Sequence, residues 1–597
     1  MPNNDLEIDY EPPRDIRERD KSRKITAIIC IILLCLIIFA VVLCVTLIDR
    51  HDDDDDPQPR RQFSKAAVAT DIAECSQMGS SILEEGGSAV DSAITSLLCI
   101  GLVHGQSSGI GGGAFLLIYD RSAKKVEFIN ARETSPAATT QDMFNAHPDT
   151  IKIGGLAIAT PGELKGMWEA HQKYGKLSWK RLFEPVIELA RKGFRLSKHS
   201  ENALKVLVRS GDGPNMKAWR NVYFKDNGTI PKVEGDIVIR SKFADTLQRI
   251  ADNGWTEFYN GTTADMMIED ITNFNGTLTK DDLLNYTVQW SDVITTLFMG
   301  NMVASPSLPS GGPVYQFIIN VMKGYDIDVS SDEGKVKTFH HFIETCKFAF
   351  GLRSYLGDVD TPQVRQALNN LTSEEFAREI RDTIKDNTVT YTNSSYYSNG
   401  EVDATDDIGG TSHLNVLAEN GDAVSVTTSV NYYFGSKIMS ESTGIIYNNL
   451  MADFSIPNSE AEFQPSNEAN YPGPNKYPLS SMSGSIVLDK NGDVRLVVGS
   501  SGGKQIITAN AWITLGAVAT DSSLKDLIEY RRIHNQLFPN IGKYDAGLSE
   551  TIVEGLENMD QILAESGSFA VVQAILQDEN GIEAYSDSRK GGKPAGY

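Results

Sequence analysis

At Gly409-Gly410-Thr411 the chain carries a residue pattern able to attack its own backbone. A threonine that follows two glycines can bring its hydroxyl to the carbonyl of Gly410, because no side chain shields that carbonyl and glycine tolerates the bent backbone the approach requires. Transfer of the acyl group from nitrogen to oxygen, then hydrolysis, leaves Thr411 as a new N-terminus. Its α-amine, with an ordinary pKa of about 8, is partly neutral at physiological pH and can take the hydroxyl proton. One residue thereby supplies both nucleophile and base. The competing reading is a turn leading into the alternating run Leu414-Asn415-Val416-Leu417-Ala418.

A second pattern lies at Gly499-Ser500-Ser501-Gly502-Gly503. The pair Gly502-Gly503 lets backbone N–H groups approach a developing oxyanion, and it also reads as a tight strand-to-helix turn. The same five residues satisfy the G-x-S-x-G nucleophile elbow between the strand-like Val494 to Val498 and the helix-like segment from Ile506, which makes Ser501 a rival nucleophile. Against Ser501, the only downstream histidine is His534, leaving a cramped interval for an acid and a base. Metal catalysis has little to stand on, since the histidines form no H-E-x-x-H and His340-His341 lacks a spaced partner. His413 shares a strand face with Thr411, but the α-amine already fills the base role and His413 reads as structural.

The stretch from Thr411 through Asn431-Tyr432-Tyr433-Phe434-Gly435-Ser436-Lys437 and Gly444-Ile445-Ile446-Tyr447-Asn448-Asn449 to Asp453-Phe454-Ser455 closely resembles the small subunit of the γ-glutamyltransferases. So do the C-terminal residues Ser586-Asp587-Ser588-Arg589-Lys590-Gly591-Gly592-Lys593-Pro594-Ala595-Gly596-Tyr597, and upstream Gly86-Gly87-Ser88-Ala89-Val90-Asp91, Gly109-Ile110-Gly111-Gly112-Gly113 and Asn130-Ala131-Arg132-Glu133-Thr134. The likeness covers essentially everything after about residue 65.

The resemblance implies the αββα sandwich of N-terminal nucleophile hydrolases, an α/β fold, and cleavage between Gly410 and Thr411 into a large chain (65–410) and a small catalytic chain (411–597). It implies that Thr411 carries a γ-glutamyl acyl group from glutathione or a related amide to water, amino acids or dipeptides, with Gly502 and Gly503 as oxyanion hole. By position, Arg132, Ser480 and Ser481 would hold the donor α-carboxylate, Asn431 and Asp453 would face its α-ammonium, and Ser429 would hydrogen-bond Thr411. Cys75 and Cys99 match a disulfide of animal members. No cofactor or metal is implied. One departure is Leu450, where the family usually has Glu or Gln; a lost charged hydrogen bond predicts donor binding weaker by about ten- to a hundredfold. A catalytically weak surface adhesion or recognition protein of the same fold is the alternative that this departure raises.

The net charge of −24 argues against nucleic acid and other polyanions, which need clustered Lys and Arg. Residues 25–48 are uncharged and mostly aliphatic, long enough as a helix to cross the roughly 30 Å hydrocarbon core. Arg17, Arg19, Lys21, Arg23 and Lys24 precede this segment, and Asp52 to Asp56 follow it. That bias keeps residues 1–24 cytoplasmic and makes 25–48 a signal-anchor, 49–64 an acidic stalk and the remainder extracellular, a single-pass type II arrangement in the cell membrane. Sequons at Asn227, Asn260, Asn275, Asn285, Asn370 and Asn393 suit that side. Cys30, Cys35 and Cys44 are apolar filler in the anchor, and Cys346 is a buried free thiol.

The elements that must hold these residues alternate in type without an internal repeat, which predicts one compact ectodomain of mixed α and β structure with antiparallel hairpins. Helices are expected at Asp91 to Leu102, Pro185 to Lys192, Thr338 to Tyr355 and Ile506 to Val518. Strands are expected at Ala114 to Tyr119, Leu414 to Ala418, Ala423 to Thr428, Ser485 to Asp489 and Val494 to Val498. The polar stretch from about Ser373 to Gly410 reads as an exposed connection ending at the cleavage site.

Overall fold

Alternating side chains on two antiparallel sheets build the molecule. A computed structural model describes residues 62–209, 216–398, 409–457 and 467–597. The apolar segment 25–48 and most of the stalk lie outside the described residues.

The strands of the two large sheets are β1 (Ala67–Thr70), β2 (Gly113–Asp120), β3 (Lys125–Ala131), β4 (Gln289–Asp292), β5 (Ile294–Phe298), β6 (Asn301–Ser305), β7 (Gly409–Leu417), β8 (Ala423–Tyr432), β9 (Ser485–Leu488), β10 (Val494–Ser501), β11 (Val571–Asp578), β12 (Gly581–Ser586) and β13 (Ala595–Gly596). One sheet runs β13-β1-β7-β8-β2-β3-β4 and the other β12-β11-β10-β9-β6-β5. Every neighbouring pair in both is antiparallel.

Successive residues of a strand point to opposite faces, so a strand apolar on both faces must be covered twice. On β2, Phe115, Leu117 and Tyr119 pack with Ile486, Val497 and Ile575 between the sheets. Leu116 and Ile118 join the helical layer that includes α1 (Ala89–Val103). The second sheet repeats this, with Val303, Leu496, Val498 and Val572 packed in one cluster with residues of α2 (Gly312–Met322), α3 (Asp332–Arg353) and α4 (Gln505–Ala519). The result is the expected αββα sandwich. α1 starts at a capping box in which Ser88 accepts from the amide of Asp91 and Asp91 accepts from that of Ser88.

Two expectations need correcting. The stretch after Ser373 is not all connection, because Glu374–Thr383 is a helix capped by Ser373, its charged residues lying on one side of an amphipathic turn pattern. The helix expected from Pro185 starts at Trp179 and carries Pro185 inside it, its buried face of Leu182, Phe183, Val186 and Ile187 outweighing one missing amide. Cys75 and Cys99 are joined, tying the helix Ala73–Glu84 to α1, and Cys346 is a buried free thiol. Of the sequons, Asn227, Asn260, Asn275, Asn285 and Asn393 are exposed and Asn370 is half-buried.

Candidate active site

β7 and β8 form the hairpin that carries the nucleophile, and its register is irregular at the decisive point. Gly410 faces Asn431 whereas Thr411 faces Ser429, so Val430 is the extra residue of a β-bulge. The bulge sets the Thr411 and Ser429 side chains against each other. Thr411 Oγ1 lies 3.1 Å from Ser429 Oγ. Ser429 Oγ donates to the carbonyl of Gly410 at 2.9 Å and accepts from the amide of Asn431 at 2.8 Å. Since the one Ser429 proton goes to Gly410, the Thr411 hydroxyl is the donor in their contact. Ser429 therefore polarises the carbonyl that Thr411 would attack.

The carbonyl of Thr411 accepts from Lys590 Nζ at 2.7 Å, and the same ammonium lies 2.6 Å from Asp71 Oδ2 and 3.4 Å from Ser501 Oγ. Burial pushes the Asp71 carboxyl upward, but Lys590 and His104 beside it win and hold it well below the usual carboxylate range. Lys590 and Asp71 are both buried.

A narrow cleft joins Thr411 to Arg132, Ser429, Asn431, Asp453, Ser480, Ser481 and Gly503, bringing together the residues the sequence pointed to apart from Gly502, which lines the neighbouring cavity. Arg132 is 1% exposed and pairs with Asp453, while its guanidinium also donates to the carbonyls of Pro478 (3.3 Å) and Leu479 (3.1 Å). Glu133, next in sequence, is pushed up to about 8 by burial despite Arg132, so near neutral pH it is mostly uncharged and leaves the guanidinium to Asp453. Ser480 Oγ accepts from the amide of Met482, and Asn431 Nδ2 donates to the carbonyl of Asn449.

Gly502 and Gly503 have φ of 134° and 59°, and a Cβ on Gly502 would stand 2.7 Å from Ala570 Cα, so only glycine fits there. A Cβ built on Gly409 would stand 3.2 Å from the Gly503 nitrogen, which places the glycine pair against the strand that enters the cleavage site. A wider cavity of about 760 Å³ adjoins the cleft, lined in part by Gly409, Ser501, Gly502, Lys504, Arg531 and Lys543.

The rival chemistries fare worse. Both His534 nitrogens are engaged, with Thr508 Oγ1 at 2.9 Å and Gln536 Oε1 at 3.0 Å, so Ser501 has the Lys590 ammonium beside it rather than an imidazole base. His413 bridges Thr427 Oγ1 and Asn415 Oδ1, each at 2.9 Å, and burial lowers its pKa to about 4. It is a structural histidine. Among the described residues no cluster of His, Cys, Asp and Glu could hold a metal.

A family profile described as Gamma-glutamyltranspeptidase matches residues 75–597. This chain belongs to the γ-glutamyltranspeptidase family. It is 39% identical to Scoloptoxin SSD14 of Scolopendra dehaani over 89% of this chain and 92% of that relative. It is 34% identical to Glutathione hydrolase 3 of Arabidopsis thaliana (99% and 98% covered) and 34% identical to Glutathione hydrolase 5 proenzyme of Homo sapiens (92% and 95% covered). Among solved structures, cephalosporin acylase from Bacillus halodurans shares the fold with a TM-score of 0.76 at 22% identity, over 90% of this chain and 96% of that one.

Against the γ-glutamyltranspeptidase pattern, Leu450 takes on a definite meaning. Its side chain is fully buried with Phe144, Ile151, Met451 and Phe454 in a small apolar cluster, and it does not line the cleft. Three further groups at the site were not singled out from the sequence. Arg353, at the end of α3, donates to Ser481 Oγ at 3.2 Å. Lys504 follows the glycine pair, and Asp71 neutralises Lys590. Lys590 lay within the C-terminal motif and Lys504 beside the glycines, whereas Asp71 and Arg353 are brought in only by the tertiary fold.

Proposed function

We propose that this γ-glutamyltranspeptidase family member is a glutathione hydrolase and γ-glutamyltransferase that works through Thr411 once the Gly410–Thr411 bond has been cut. The observation that carries the reading is the triangle of Thr411 Oγ1, Ser429 Oγ and the Gly410 carbonyl beside a cleft that also holds the buried Arg132 paired with half-buried Asp453. The first arrangement suits an intramolecular N-to-O acyl shift. The second suits an α-amino acid.

A donor presenting an α-carboxylate and an α-ammonium can replace the Arg132–Asp453 contact by two contacts of its own, the carboxylate to Arg132 and the ammonium to Asp453. A donor lacking its carboxylate leaves the buried Arg132 without that contact, at about 1–3 kcal/mol or more for a charged group, and one lacking its ammonium leaves the half-buried Asp453 so at a smaller cost. Ser480 and Ser481 add hydroxyl donors on the carboxylate side, and Arg353 fixes the Ser481 oxygen. With the amino acid end held there, the γ-carbonyl is presented to Thr411.

In the mature protein the Thr411 α-amine takes the proton of its own hydroxyl as Oγ1 adds to the γ-carbonyl. The Gly502 and Gly503 amides receive the oxyanion, and the departing amine takes its proton from the α-ammonium as the C–N bond breaks. Water or an acceptor amine then adds to the ester, again losing its proton to the α-amine, and Thr411 Oγ1 leaves reprotonated. The wide cavity gives the departing and accepting molecules a route. Membrane attachment through residues 25–48, with the catalytic unit outside the cell, fits the flanking charges and the sequons.

The test compares γ-glutamyl anilide with its analogues lacking the α-carboxylate or the α-amine. Turnover of the parent with loss on both analogues supports the reading, and equal turnover of all three refutes the assignment of Arg132 and Asp453. Nothing in the structure favours an inert surface protein, since the cleft keeps its charged pair, its hydroxyls and Thr411.

A further inference from the structure

The cleft around Arg132 and the cavity of about 760 Å³ meet at the point where a scissile amide must lie, and among the described residues those that line both are Gly409 and Lys504. Gly409 has no side chain to offer. Among the described residues Lys504 therefore supplies the side chain common to both compartments, directly after Gly503 and at the start of α4, and it is buried. Beyond it the wide cavity is lined by Arg531, Lys543 and Arg589, and its acid, Asp545, is already paired with Arg589 and lies 4.0 Å from Arg531. Among the described residues that line this side of the junction, cationic side chains outnumber acidic ones.

On the proposed function, the glutamyl end of a donor occupies the cleft, so whatever departs lies on the Lys504 side. We infer that Lys504 recognises a carboxylate on the departing part of the donor, and on the incoming acceptor that retraces its path, making the enzyme selective for γ-glutamyl peptides over uncharged γ-glutamyl amides. A lysine suits the task, because its compact ammonium on a flexible stem can follow carboxylates placed at different distances from the scissile bond. The inference rests on the proposed γ-glutamyl chemistry and adds the chemical class of the leaving group.

Three donors separate this role from others: a γ-glutamyl dipeptide with a free C-terminal carboxylate, the same dipeptide as its C-terminal amide, and a γ-glutamyl anilide. Each is assayed with mature wild type, Lys504→Met and Lys504→Arg. Lys504→Met is expected to lose about 10- to 100-fold in kcat/KM on the carboxylate donor, the worth of one charge-assisted hydrogen bond. It should keep the wild-type rate on the amide and the anilide, and Lys504→Arg should recover most of the loss. The unchanged anilide rate doubles as the folding control. An equal loss on all three donors would place Lys504 at the oxyanion or in the fold and overturn the inference, as would no loss on any. Wild type inactive on all three would instead overturn the γ-glutamyl reading itself.

Discussion

Removing the Ser429 hydroxyl tests the geometry of self-cleavage most searchingly, because that one group makes three contacts. Ser429→Ala deletes the donor to the Gly410 carbonyl (2.9 Å), the acceptor for the Thr411 hydroxyl (3.1 Å) and the acceptor for the Asn431 amide (2.8 Å). The first is a preorganised donor aimed at the carbonyl under attack, and losing one such donor costs about 2.7–4 kcal/mol in the barrier, or about a hundred- to a thousandfold in rate. The stranded amide adds about 1–3 kcal/mol of lost stability, and as Asn431 is half-buried the lower end applies. The expectation is a folded precursor that converts slowly. Its assay is a time course on a denaturing gel, following the appearance of the smaller chain from purified precursor, with Ser429→Thr as the variant that keeps a hydroxyl. Ser429→Thr should process nearly as wild type. Processing of Ser429→Ala at the wild-type rate would refute the argument that Ser429 polarises the scissile carbonyl.

Other outcomes follow from the buried groups nearby. Lys590→Met leaves Asp71 without its ammonium partner in a fully buried site, a loss of about 3–5 kcal/mol measurable by chemical denaturation. In wild type the depressed Asp71 pKa contributes stability that is full above about pH 4 and declines as the pH falls further and the unfolded chain takes up protons, so Asp71→Asn should flatten the acid limb of a stability–pH curve. His413 works over a higher range. Its folded pKa of about 4 lies below the ordinary 6.5, so the unfolded state binds the extra proton and stability falls by about 3 kcal/mol as pH drops from 6.5 to 4, a slope that His413→Gln should remove from denaturation midpoints. Leu450→Glu puts a carboxylate among Phe144, Met451 and Phe454, so it should lower the melting temperature without lowering the donor KM, and a lower KM would show that the side chain does reach the cleft.

How much of this could be read from residues alone depends on whether a feature is local. The hairpin that carries the nucleophile was legible at Leu414 to Ala418 and Ala423 to Thr428 because those residues pair strand-forming types with apolar alternation. Its business end was not. Gly409 to His413 extend the first strand with small or polar residues that give no apolar alternation, and Val430 and Tyr432, which carry on the alternation of the second, do not reveal the bulge between them and the first. The bulge that opposes Thr411 to Ser429 is a property of register, which no single strand encodes. The donor-site residues came from family likeness, and the fold adds what likeness omitted: Arg132 and Asp453 are each other's partners before any donor arrives. The expected weakening at Leu450 rests on a missing charged group, and Leu450 packs with Phe144 and Phe454 outside the cleft lining, where it offers a donor no such contact. Asp71 sits some 340 residues before Thr411 in sequence, and the pairing of β1 with β7 brings it towards Thr411 while that of β1 with β13 brings it to Lys590.

The proposed chemistry requires position 411 to become an amino terminus whose hydroxyl carries the acyl group. Mass spectrometry of the small chain, taken from active protein quenched during turnover of a γ-glutamyl donor, addresses it directly. The expected product is a chain that begins at Thr411 and bears a γ-glutamyl ester on that residue, absent from Thr411→Ala. An active preparation consisting of the uncut chain, or one acylated at Ser501, would contradict it.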